Sequence, residues 1–366
     1  MLVDFELEQL VEPLLEWFSG NARVLPWREE PTPYRVWVSE IMLQQTRVEA
    51  VKPYFERFMN TLQDVKALAE CPEDELLKLW EGLGYYNRVR NMQKAAQQIM
   101  LDYDGVIPAE YTELLKLKGI GNYTAGAIAS IAYGKAAPAV DGNVFRILTR
   151  VSADDTDIMK PSFRKIVEQE VSRVIPESRG GENLPGRFNQ AMMELGATVC
   201  LPNGAPLCEQ CPWHTVCRAC IEGKTGEFPV KSKAKPRKIE KRTVFIIRDG
   251  EKIAIRKRPA KGLLAGLYEL PNLLGSLSRE EALQKVKEME LSPIRIQKLE
   301  DAKHIFSHIE WQMTGYMIRV EELEGQKEDL IFVEAEDSQQ KYAIPSAFAA
   351  YTKYMNIKLG NERFEE

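Results

Sequence analysis

The chain has 366 residues, of which 44% are hydrophobic, so it holds enough apolar sequence for two or three domains with cores of their own. This composition excludes a wholly disordered protein. The formal net charge of -5 excludes a surface that is basic throughout, while a local basic groove is still compatible with it. The first residues are acidic and amphipathic, without the basic leader of an export signal, and no apolar run is long enough for a membrane helix. We therefore expect a soluble, cytoplasmic protein.

The first half of the chain is predicted to be almost entirely helical. Apolar residues recur at helical spacing from Phe5 to about Arg173, and glycines and prolines fall where helices should end. A glycine-rich stretch at 177–186 is typical of a surface loop. Five of the six cysteines then lie within 200–220, a density that indicates metal ligation in a reducing compartment.

Past the cysteines the pattern changes to that of an α+β domain. Residues 229–242 hold seven basic residues, one acid and two prolines, and are interpreted as a solvated linker. The linker is either an ordinary tether or one that lies near a polyanion. A hairpin is expected around Asp249 and Gly250, another strand at 310–320, and a helix that opens with a capping box at 278–281.

The stretch "LKGIGNYTAGAI" at 117–128 places two glycines between two apolar helical patterns. Gly119 and Gly121 permit a tight turn, and Asn122 is predicted to cap the helix that follows. Backbone amides left free at such a turn can bind one phosphate group. The same pattern also fits an ordinary corner between two helices.

Glu40 falls on a mostly apolar stripe of a predicted helix, with Val36, Trp37 and Leu43 about one turn away. Burial on that stripe raises the pKa of a carboxyl and suits it to work as a general acid. A solvated glutamate at the rim of the stripe is the alternative interpretation.

Asp141 follows an extended run and precedes a helix that begins near Asn143. It is predicted to cap that helix, where backbone donors and the helix dipole keep its carboxylate ionised. A protonated Glu40 together with an ionised Asp141 forms the differentiated carboxyl pair that breaking a glycosidic bond needs. A purely structural cap is the alternative.

These stretches resemble the MutY family of adenine DNA glycosylases, which shares a helix-hairpin-helix superfamily with endonuclease III. The similar motifs, in chain order, are "WVSEIMLQQTRVEAV" at 37–51, "WEGLGYYNRVRN" at 80–91, the hairpin at 117–128 and "VDGNVFRI" at 140–147. The resemblance covers essentially the whole chain, and several motifs in order are more specific than any single one.

The resemblance implies a mainly α glycosylase region followed by an α+β domain similar to the MutT (Nudix) hydrolase. The implied boundaries are 1–228 for the glycosylase region, with 25–137 as a six-helix barrel module and 1–24 plus 138–228 as a helical [4Fe-4S] module, then the linker 229–242 and the MutT-like domain 243–366. It further implies a monomer that associates with the nucleoid when it acts on DNA.

By resemblance, the protein removes adenine mispaired with 8-oxoguanine, or with guanine, from double-stranded DNA. Glu40 would protonate adenine at N7, and Asp141 would stabilise the oxocarbenium ion with support from Asn143 and Tyr123. In bifunctional relatives such as endonuclease III, a lysine stands at the position of Tyr123 and forms a Schiff base, which a phenol cannot do. The resemblance therefore implies base removal without strand cleavage. A packing role for Tyr123 is the alternative.

The resemblance also implies several DNA contacts. The side chains that would probe the duplex around an extruded base are Gln45, Thr46, Leu83 and Tyr85, with Tyr85 beside the partner base. The groups that would hold a phosphate are Gly119, Gly121 and Lys118. Lys118 departs from the family, which commonly has proline there. Trp27 and Arg28 would line the adenine pocket, although an aromatic residue next to an arginine is also a common packing corner.

The cysteines match the superfamily's four-cysteine [4Fe-4S] loop. The residues with the family's spacing are Cys208, Cys211 and Cys217. Cys200 would be the first ligand, although seven residues separate it from Cys208 where the family usually has six. The alternatives are a zinc site that recruits His214, or a cluster in which Cys220 replaces one ligand.

In the C-terminal domain, Leu283 and Gln284 stand where the hydrolase needs paired metal-binding glutamates, so we expect this domain to bind and not to hydrolyse. The segment "HIFSHIEW" resembles the family's loop for 8-oxoguanine. Ser307 and His308 would make the contacts, with Phe306 as support. A surface turn is the alternative.

Three other functions stay open on the sequence. One is a glycosylase-lyase of the endonuclease III type, and another is a non-catalytic iron-sulfur module that binds DNA. The third, a nucleotide pyrophosphohydrolase, is disfavoured by the missing glutamates.

Overall fold

The computed structural model describes residues 2–232, 236–325, 327 and 329–364. Contacts divide the chain into two compact units, a helical unit of 1–70 with 91–233 and a sheet unit of 71–90 with 234–366. Of the predicted linker, residues 233–235 lie outside the described residues. No helix in the described ranges combines the length and the hydropathy that a bilayer crossing needs.

The predicted fold class is confirmed: helices fill the first part of the chain, and strands appear only after it. The α-helices of the described residues are α1 Val11–Asn21, α2 Pro26–Glu29, α3 Pro33–Leu43, α4 Val48–Thr61, α5 Val65–Glu70, α6 Glu73–Leu79, α7 Asn87–Asp102, α8 Tyr111–Leu114, α9 Asn122–Ala127, α10 Gly142–Ser152, α11 Pro161–Val174, α12 Leu184–Thr198, α13 Arg218–Ile221, α14 Arg279–Glu288, α15 Ala335–Lys341 and α16 Ala349–Thr352. The strands are β1 Lys238–Asp249, β2 Lys252–Lys257, β3 Tyr268–Glu269, β4 Asn272–Leu274, β5 Pro293–Lys298, β6 Ala302–Ile305, β7 Ile309–Val320 and β8 Ile331–Glu334.

One core of the helical unit joins the first residues of the chain to α10, α11 and α12. Apolar side chains from Leu2 to Phe18 pack there against residues from 140 onward. The backbone N–H of Leu2 donates to the Asp154 carboxylate at 2.7 Å, across 152 positions of the chain. Because α10 is buried along most of its length, its polar side chains must also find partners inside.

The loop predicted at 177–186 is shorter than expected, because α12 begins at Leu184. Asn183 caps this helix by accepting a hydrogen bond from the Gly186 N–H at 2.8 Å. Its amide also donates to the carbonyls of Ser130 and Ile131, each at 2.9 Å. These long-range bonds draw the end of the loop into the helical unit, and the loop sequence alone does not reveal them.

The sheet unit is built around β1, in the strand order β3-β2-β1-β7-β5. The predicted hairpin is confirmed, with Arg248 opposite Ile253 and Gly250 at a φ of 57°. The capping box at 278–281 is confirmed at the start of α14. β1 begins at Lys238, so the last part of the predicted linker is strand instead, because its pairing with β7 continues to that residue.

Residues 71–90, which hold α6 and the turn after it, pack with the sheet unit. Their sequence lies inside the six-helix module that the resemblance implies. α6 buries Leu76 and Leu77, and the turn buries Trp80 and Glu81. This segment therefore belongs to one compact body with the C-terminal domain.

Candidate active site

Glu40 lies near the end of α3, a helix that opens on Pro33 and buries most of its residues. The side chain is buried, at 5% exposure, and the Tyr123 hydroxyl donates a hydrogen bond to its Oε2. Burial raises the pKa of Glu40 to about 7, the nearby Asp141 adds to the rise, and Tyr123 and Arg28 oppose it. The carboxyl is therefore half protonated near neutral pH, as a general acid requires.

Tyr123 stands in the first turn of α9. Burial and the neighbouring carboxyls of Glu40 and Asp141 raise the pKa of its phenol well above the ordinary value. The hydroxyl consequently keeps its proton and acts as a donor. The family resemblance implies that Tyr123 supports Asp141; in the structure the hydroxyl donates its hydrogen bond to Glu40.

Asp141 caps α10, as predicted. Its Oδ1 accepts from the backbone N–H groups of Asn143 and Val144 at 2.9 and 2.8 Å. Its Oδ2 accepts from the Asn143 side-chain amide at 2.7 Å. The pKa of Asp141 is nevertheless raised, because burial outweighs these donors and the charge of Arg146. The predicted donors are therefore in place and favour the anion, but they do not bring the pKa of Asp141 below its ordinary value.

Arg146, which the sequence does not single out, fixes the orientation of Asn143. One of its terminal nitrogens donates to Asn143 Oδ1 at 2.9 Å and to the Gly196 carbonyl at 2.7 Å. Its Nε donates to the Cys200 carbonyl at 3.0 Å. The sequence gives only a weak indication of this role for Arg146, which is an arginine one turn after Asn143 on a helix that is mostly buried.

Trp27 and Arg28, the residues proposed for the adenine pocket, both pack against neighbouring side chains. Trp27 is 5% exposed and meets the Phe55 ring edge-on at 5.4 Å. Arg28 donates to the Glu194 carboxylate at 2.9 Å and lies over the Phe18 ring at 5.5 Å. Arg28 still acts on the site through its charge, since it lowers the pKa of Glu40.

The hairpin turn at 117–128 forms between α8 and α9. Gly119 has a φ of 79°, and a Cβ there would meet Asn91 at 2.6 Å, so only glycine fits. The N-cap of α9 is Gly121, not Asn122 as predicted, and Asn122 donates to Glu168 at 3.0 Å instead. Gly121 and Lys118 are exposed.

Gln45 and Thr46 lie in the turn between α3 and α4. Gln45 is exposed and has a φ of 63°, in the left-handed region that residues other than glycine rarely adopt. Thr46 is half-buried. Strained backbone of this kind concentrates at functional positions, where the surroundings enforce it.

In the sheet unit, the turn after α6 gives Leu83 and Tyr85 different environments. Tyr85 is 54% exposed at a φ of 47°, so it can meet a partner, while Leu83 is 6% exposed and packs inside. The prediction that Leu83 probes DNA with its side chain is therefore not met in this conformation. The glycines on both sides of Leu83 have positive φ and let the chain fold back.

Five cysteine side chains of the 200–220 segment line one cavity in the helical unit. The cysteines that line it are Cys200, Cys208, Cys211, Cys217 and Cys220, together with His214. None of them forms a disulfide. Among the described residues, no three Cys, His, Asp or Glu side chains are placed to ligate a single metal ion.

The donor set still fits a group that binds thiolates. Burial and the neighbouring thiols raise the pKa of Cys208 to about 11 and that of Cys211 to about 12. Thiols this close together lose their protons only beside positive charge, which a metal cluster supplies. Arg150 adds one cation, donating to Cys200 Sγ at 3.3 Å.

The 306–308 loop joins β6 to β7 in the sheet unit. Ser307 and His308 are exposed, and Ser307 Oγ lies 3.2 Å from His308 Nδ1. Phe306 is half-buried and meets the Trp311 ring edge-on at 4.9 Å. A packed aromatic ring thus anchors two exposed polar side chains.

On α14, Leu283 is half-buried and Gln284 is exposed. The described part of the chain holds no cluster of carboxylates for a metal ion. The helix instead turns Ala282 and Val286 into the core of the sheet unit.

Comparison with known protein families defines the class. The model of the HhH-GPD superfamily of base excision DNA repair proteins matches residues 38–177, and a NUDIX domain model matches 243–354. A thermostable thymine-DNA glycosylase shares the fold at a TM-score of 0.53 and 26% identity, over 59% of this chain and 96% of that one. A non-covalent endonuclease III–DNA complex, at 0.50 and 24% identity over 60% of this chain and 98% of that one, agrees in fold. The protein is a base-excision-repair DNA glycosylase with an appended Nudix-like domain.

Curated relatives narrow this class to one family. Adenine DNA glycosylase of Buchnera aphidicola is 36% identical over 84% of this chain and 85% of its own length. The human enzyme is 35% identical over 84% of this chain and 66% of its own length. The Arabidopsis thaliana enzyme is 35% identical over 91% of this chain, which spans 60% of that relative. The chain belongs to the adenine DNA glycosylase family.

Proposed function

We propose that the protein hydrolyses the N-glycosidic bond of adenine mispaired with 8-oxoguanine, or with guanine, and leaves the DNA strand intact. The observation that carries this proposal is the buried Glu40 carboxyl, with a pKa of about 7 and a hydrogen bond from Tyr123. A carboxyl with that pKa can give a proton to a leaving base at neutral pH.

Glu40 is the general acid of the proposed reaction. Its proton passes to N7 of adenine, the bond between the sugar carbon and the base nitrogen breaks, and the electron pair leaves with neutral adenine. The sugar becomes an oxocarbenium-like cation, to which water adds. The proton that this water loses returns to the Glu40 carboxylate and restores the acid.

Asp141 stabilises the cation as a carboxylate. Burial raises its pKa in the free protein, but a positive charge forming beside it favours the ionised form. Asn143 orients the carboxylate through the 2.7 Å hydrogen bond to Oδ2 and is itself held by Arg146. An orientation fixed in this way needs no rearrangement as the charge develops.

Strand cleavage is not part of the proposed reaction, because the hairpin helix offers a phenol and not an amine at Tyr123. The phenol is engaged with Glu40 and holds its proton. Borohydride trapping with an adenine-mispaired duplex is expected to give no protein–DNA adduct. A trapped adduct together with alkali-independent nicking would identify a glycosylase-lyase instead.

A [4Fe-4S] cluster held by Cys200, Cys208, Cys211 and Cys217 belongs to the same proposal. It is supported by five cysteines around one cavity. The cluster would hold the loop in shape, and base hydrolysis needs no electron from it. Iron content and the absorbance band of thiolate-bound iron test this: Cys220→Ser is expected to keep both and Cys208→Ser to lose them, while zinc in the purified protein contradicts the cluster.

The DNA contacts are assigned to exposed groups. The turn at Gly119 and Gly121, with Lys118, is proposed to hold a phosphate, and Gln45 with Thr46 to contact the duplex near the extruded base. Ser307 and His308, anchored by Phe306, are proposed to contact 8-oxoguanine. Ser307→Ala/His308→Ala is expected to reduce the preference for 8-oxoguanine over guanine as partner, with the basal rate on guanine mispairs retained.

The deciding experiment is single-turnover adenine release from duplexes with 8-oxoguanine:adenine, guanine:adenine and cytosine:adenine pairs. We expect release to be fastest from the first and slowest from the last. Binding of these duplexes with no adenine release by the iron-loaded protein would support a non-catalytic DNA-binding module.

A further inference from the structure

A buried polar network joins residues 71–90 to the C-terminal domain within the sheet unit. Glu81 is fully buried, and its Oε1 accepts from the Ile344 N–H at 2.7 Å. Its Oε2 accepts from Lys78 Nζ at 2.9 Å and from the Gly360 N–H at 3.3 Å. Lys78 in turn donates to the Tyr342 carbonyl at 2.8 Å. One carboxylate thus gathers donors from three places in the chain.

Two more links flank this network and are less buried. Lys257 pairs with Asp74 at 2.8 Å, and the Tyr268 hydroxyl donates to Asp74 at 3.1 Å. Arg90 donates to the Ala265 carbonyl at 2.6 Å. The Lys257–Asp74 pair is half-exposed on both sides and contributes little alone, whereas the Glu81 carboxylate is fully buried. Glu81 is therefore the main contact that holds the segment.

The turn that follows Glu81 presents Tyr85 in a left-handed conformation. The Trp80 indole donates to the Gly84 carbonyl at 3.0 Å, and Arg88 donates to the Leu83 carbonyl at 2.9 Å. A tyrosine at a φ of 47° is in a strained backbone conformation, which persists only where the surroundings enforce it. The hydrogen bonds inside the turn fix its shape, while Glu81 fixes the point from which it starts.

We propose that Glu81 is a positioning residue through which the C-terminal domain holds the turn that carries Tyr85. This inference rests on the proposed function, in which the 306–308 loop contacts the partner base, and on the place beside that base which the family resemblance implies for Tyr85. The 306–308 loop and the turn that carries Tyr85 belong to one compact unit. The domain that contacts the partner base therefore also sets the position of Tyr85. Removing the Glu81 charge leaves three buried donors competing for one acceptor, which loosens the start of the turn.

Glu81→Gln tests the inference in the full-length, metal-loaded protein. Its amide keeps one acceptor but turns a donor toward Lys78 and Gly360. By hydrogen-exchange mass spectrometry, peptides covering 82–86 are expected to exchange at least tenfold faster than in the wild type. Unchanged exchange in these peptides would overturn the proposal, whatever the activity of the variant.

Glu269→Gln is the matched control. Glu269 is also a buried carboxylate of the sheet unit, paired with Arg256 at 2.7 Å and with Arg258. It belongs to the C-terminal domain and lies outside the 71–90 segment. The control is expected to lower the unfolding temperature without changing exchange in 82–86. Equal acceleration by both variants would show general loosening of the domain and would overturn a specific role for Glu81.

Where Glu81→Gln does not fold, Lys78→Met carries the same test. It removes the ammonium but leaves both amide donors on Glu81, so a smaller acceleration, about threefold, is expected in 82–86. If exchange in 82–86 is unchanged in Lys78→Met, the network does not hold the turn in place.

A double-mutant cycle with Tyr85→Ala gives the functional readout. In single-turnover assays with saturating 8-oxoguanine:adenine duplex, Glu81→Gln is expected to slow adenine release about tenfold alone and not at all when combined with Tyr85→Ala. Equal slowing in both backgrounds shows that Glu81 does not act through Tyr85. If the wild type releases no adenine, the proposed function fails, while the exchange measurement still decides the role of Glu81.

Discussion

Glu40 on α3 and Glu194 on α12 are both buried carboxylates of the helical unit, yet their pKa values move in opposite directions. Burial raises the pKa of Glu40 to about 7, because one phenol is the main group that opposes it. At Glu194 burial acts in the same sense, but Arg23 at 2.6 Å and Arg28 at 2.9 Å outweigh it, and the pKa is lowered. Burial therefore raises the pKa of a carboxyl into the range of a general acid only where no close cation outweighs it.

The largest effect is expected from Glu40→Gln, which removes the carboxyl with the raised pKa. Adenine release in single-turnover assays is expected to fall about 10²–10⁴-fold, since the proton donor is lost while the shape of the side chain is kept. Duplex affinity should change little. Release within threefold of the wild-type rate would remove Glu40 from the role of acid.

At Glu194 the loss should appear in stability and not in chemistry. Glu194→Gln leaves Arg23 and Arg28 partly unpaired, and breaking a buried pair costs about 3–5 kcal/mol. We expect the free energy of unfolding in urea at pH 7 to fall by that order. Because the folded pKa of Glu194 is lowered, the difference from the wild type should shrink as pH falls below 4.5, the ordinary value. A difference that is constant with pH would contradict the assignment of the charge pair.

Glu40→Gln should stabilise the protein at high pH, whereas Glu194→Gln destabilises it. A pKa raised from 4.5 to about 7 means that this contribution to stability is fully present below pH 4.5 and is lost as pH rises from there through about 7, by roughly 3 kcal/mol at most. Glu40→Gln should therefore unfold at a higher temperature than the wild type at pH 8.5, and at nearly the same temperature at about pH 4. Thermal scans at the two pH values measure this, and a lower unfolding temperature at pH 8.5 would count against the raised pKa.

The smallest and most specific effect is expected from Tyr123→Phe. The Tyr123 hydroxyl lowers the pKa of Glu40, so its removal raises that pKa further. In the wild type, single-turnover release should decline above about pH 7, where the acid form of Glu40 disappears. In the variant the decline should begin at higher pH, with a maximal rate changed less than tenfold. A profile that does not move would show that the phenol has no influence on the acid.

Much of this site could be predicted from local sequence. The apolar stripe around Glu40 predicts its burial, and the cap pattern predicts the donors on Asp141, because both depend on residues within one turn. The direction of the pKa of Asp141 could not be predicted, since it depends on how much protein covers the carboxyl from elsewhere. The hydrogen bond from Tyr123 to Glu40 is of the same kind, because it joins residues 83 positions apart.

Three other residues have surroundings that the local sequence does not predict, because the contacts come from distant parts of the chain or from the fold of a turn. Asn122 has the preferred chemistry of an N-cap, yet its side chain finds Glu168 on another helix, and Gly121 takes the cap. Leu83 stands in a motif associated with DNA contact, but the turn folds it inward. The role of Arg28 as a partner of Glu194 depends on residues 166 positions apart, which no local pattern records.

The bond between Leu2 and Asp154 has a consequence for biosynthesis. A ribosome adds about 5–20 residues per second, so the 152 positions between the two residues correspond to roughly 8–30 s of elongation. During that interval the apolar face of α1 has emerged without the helices that later cover it. The nascent chain therefore carries an exposed hydrophobic segment until α10, and later α12, follow it out of the ribosome.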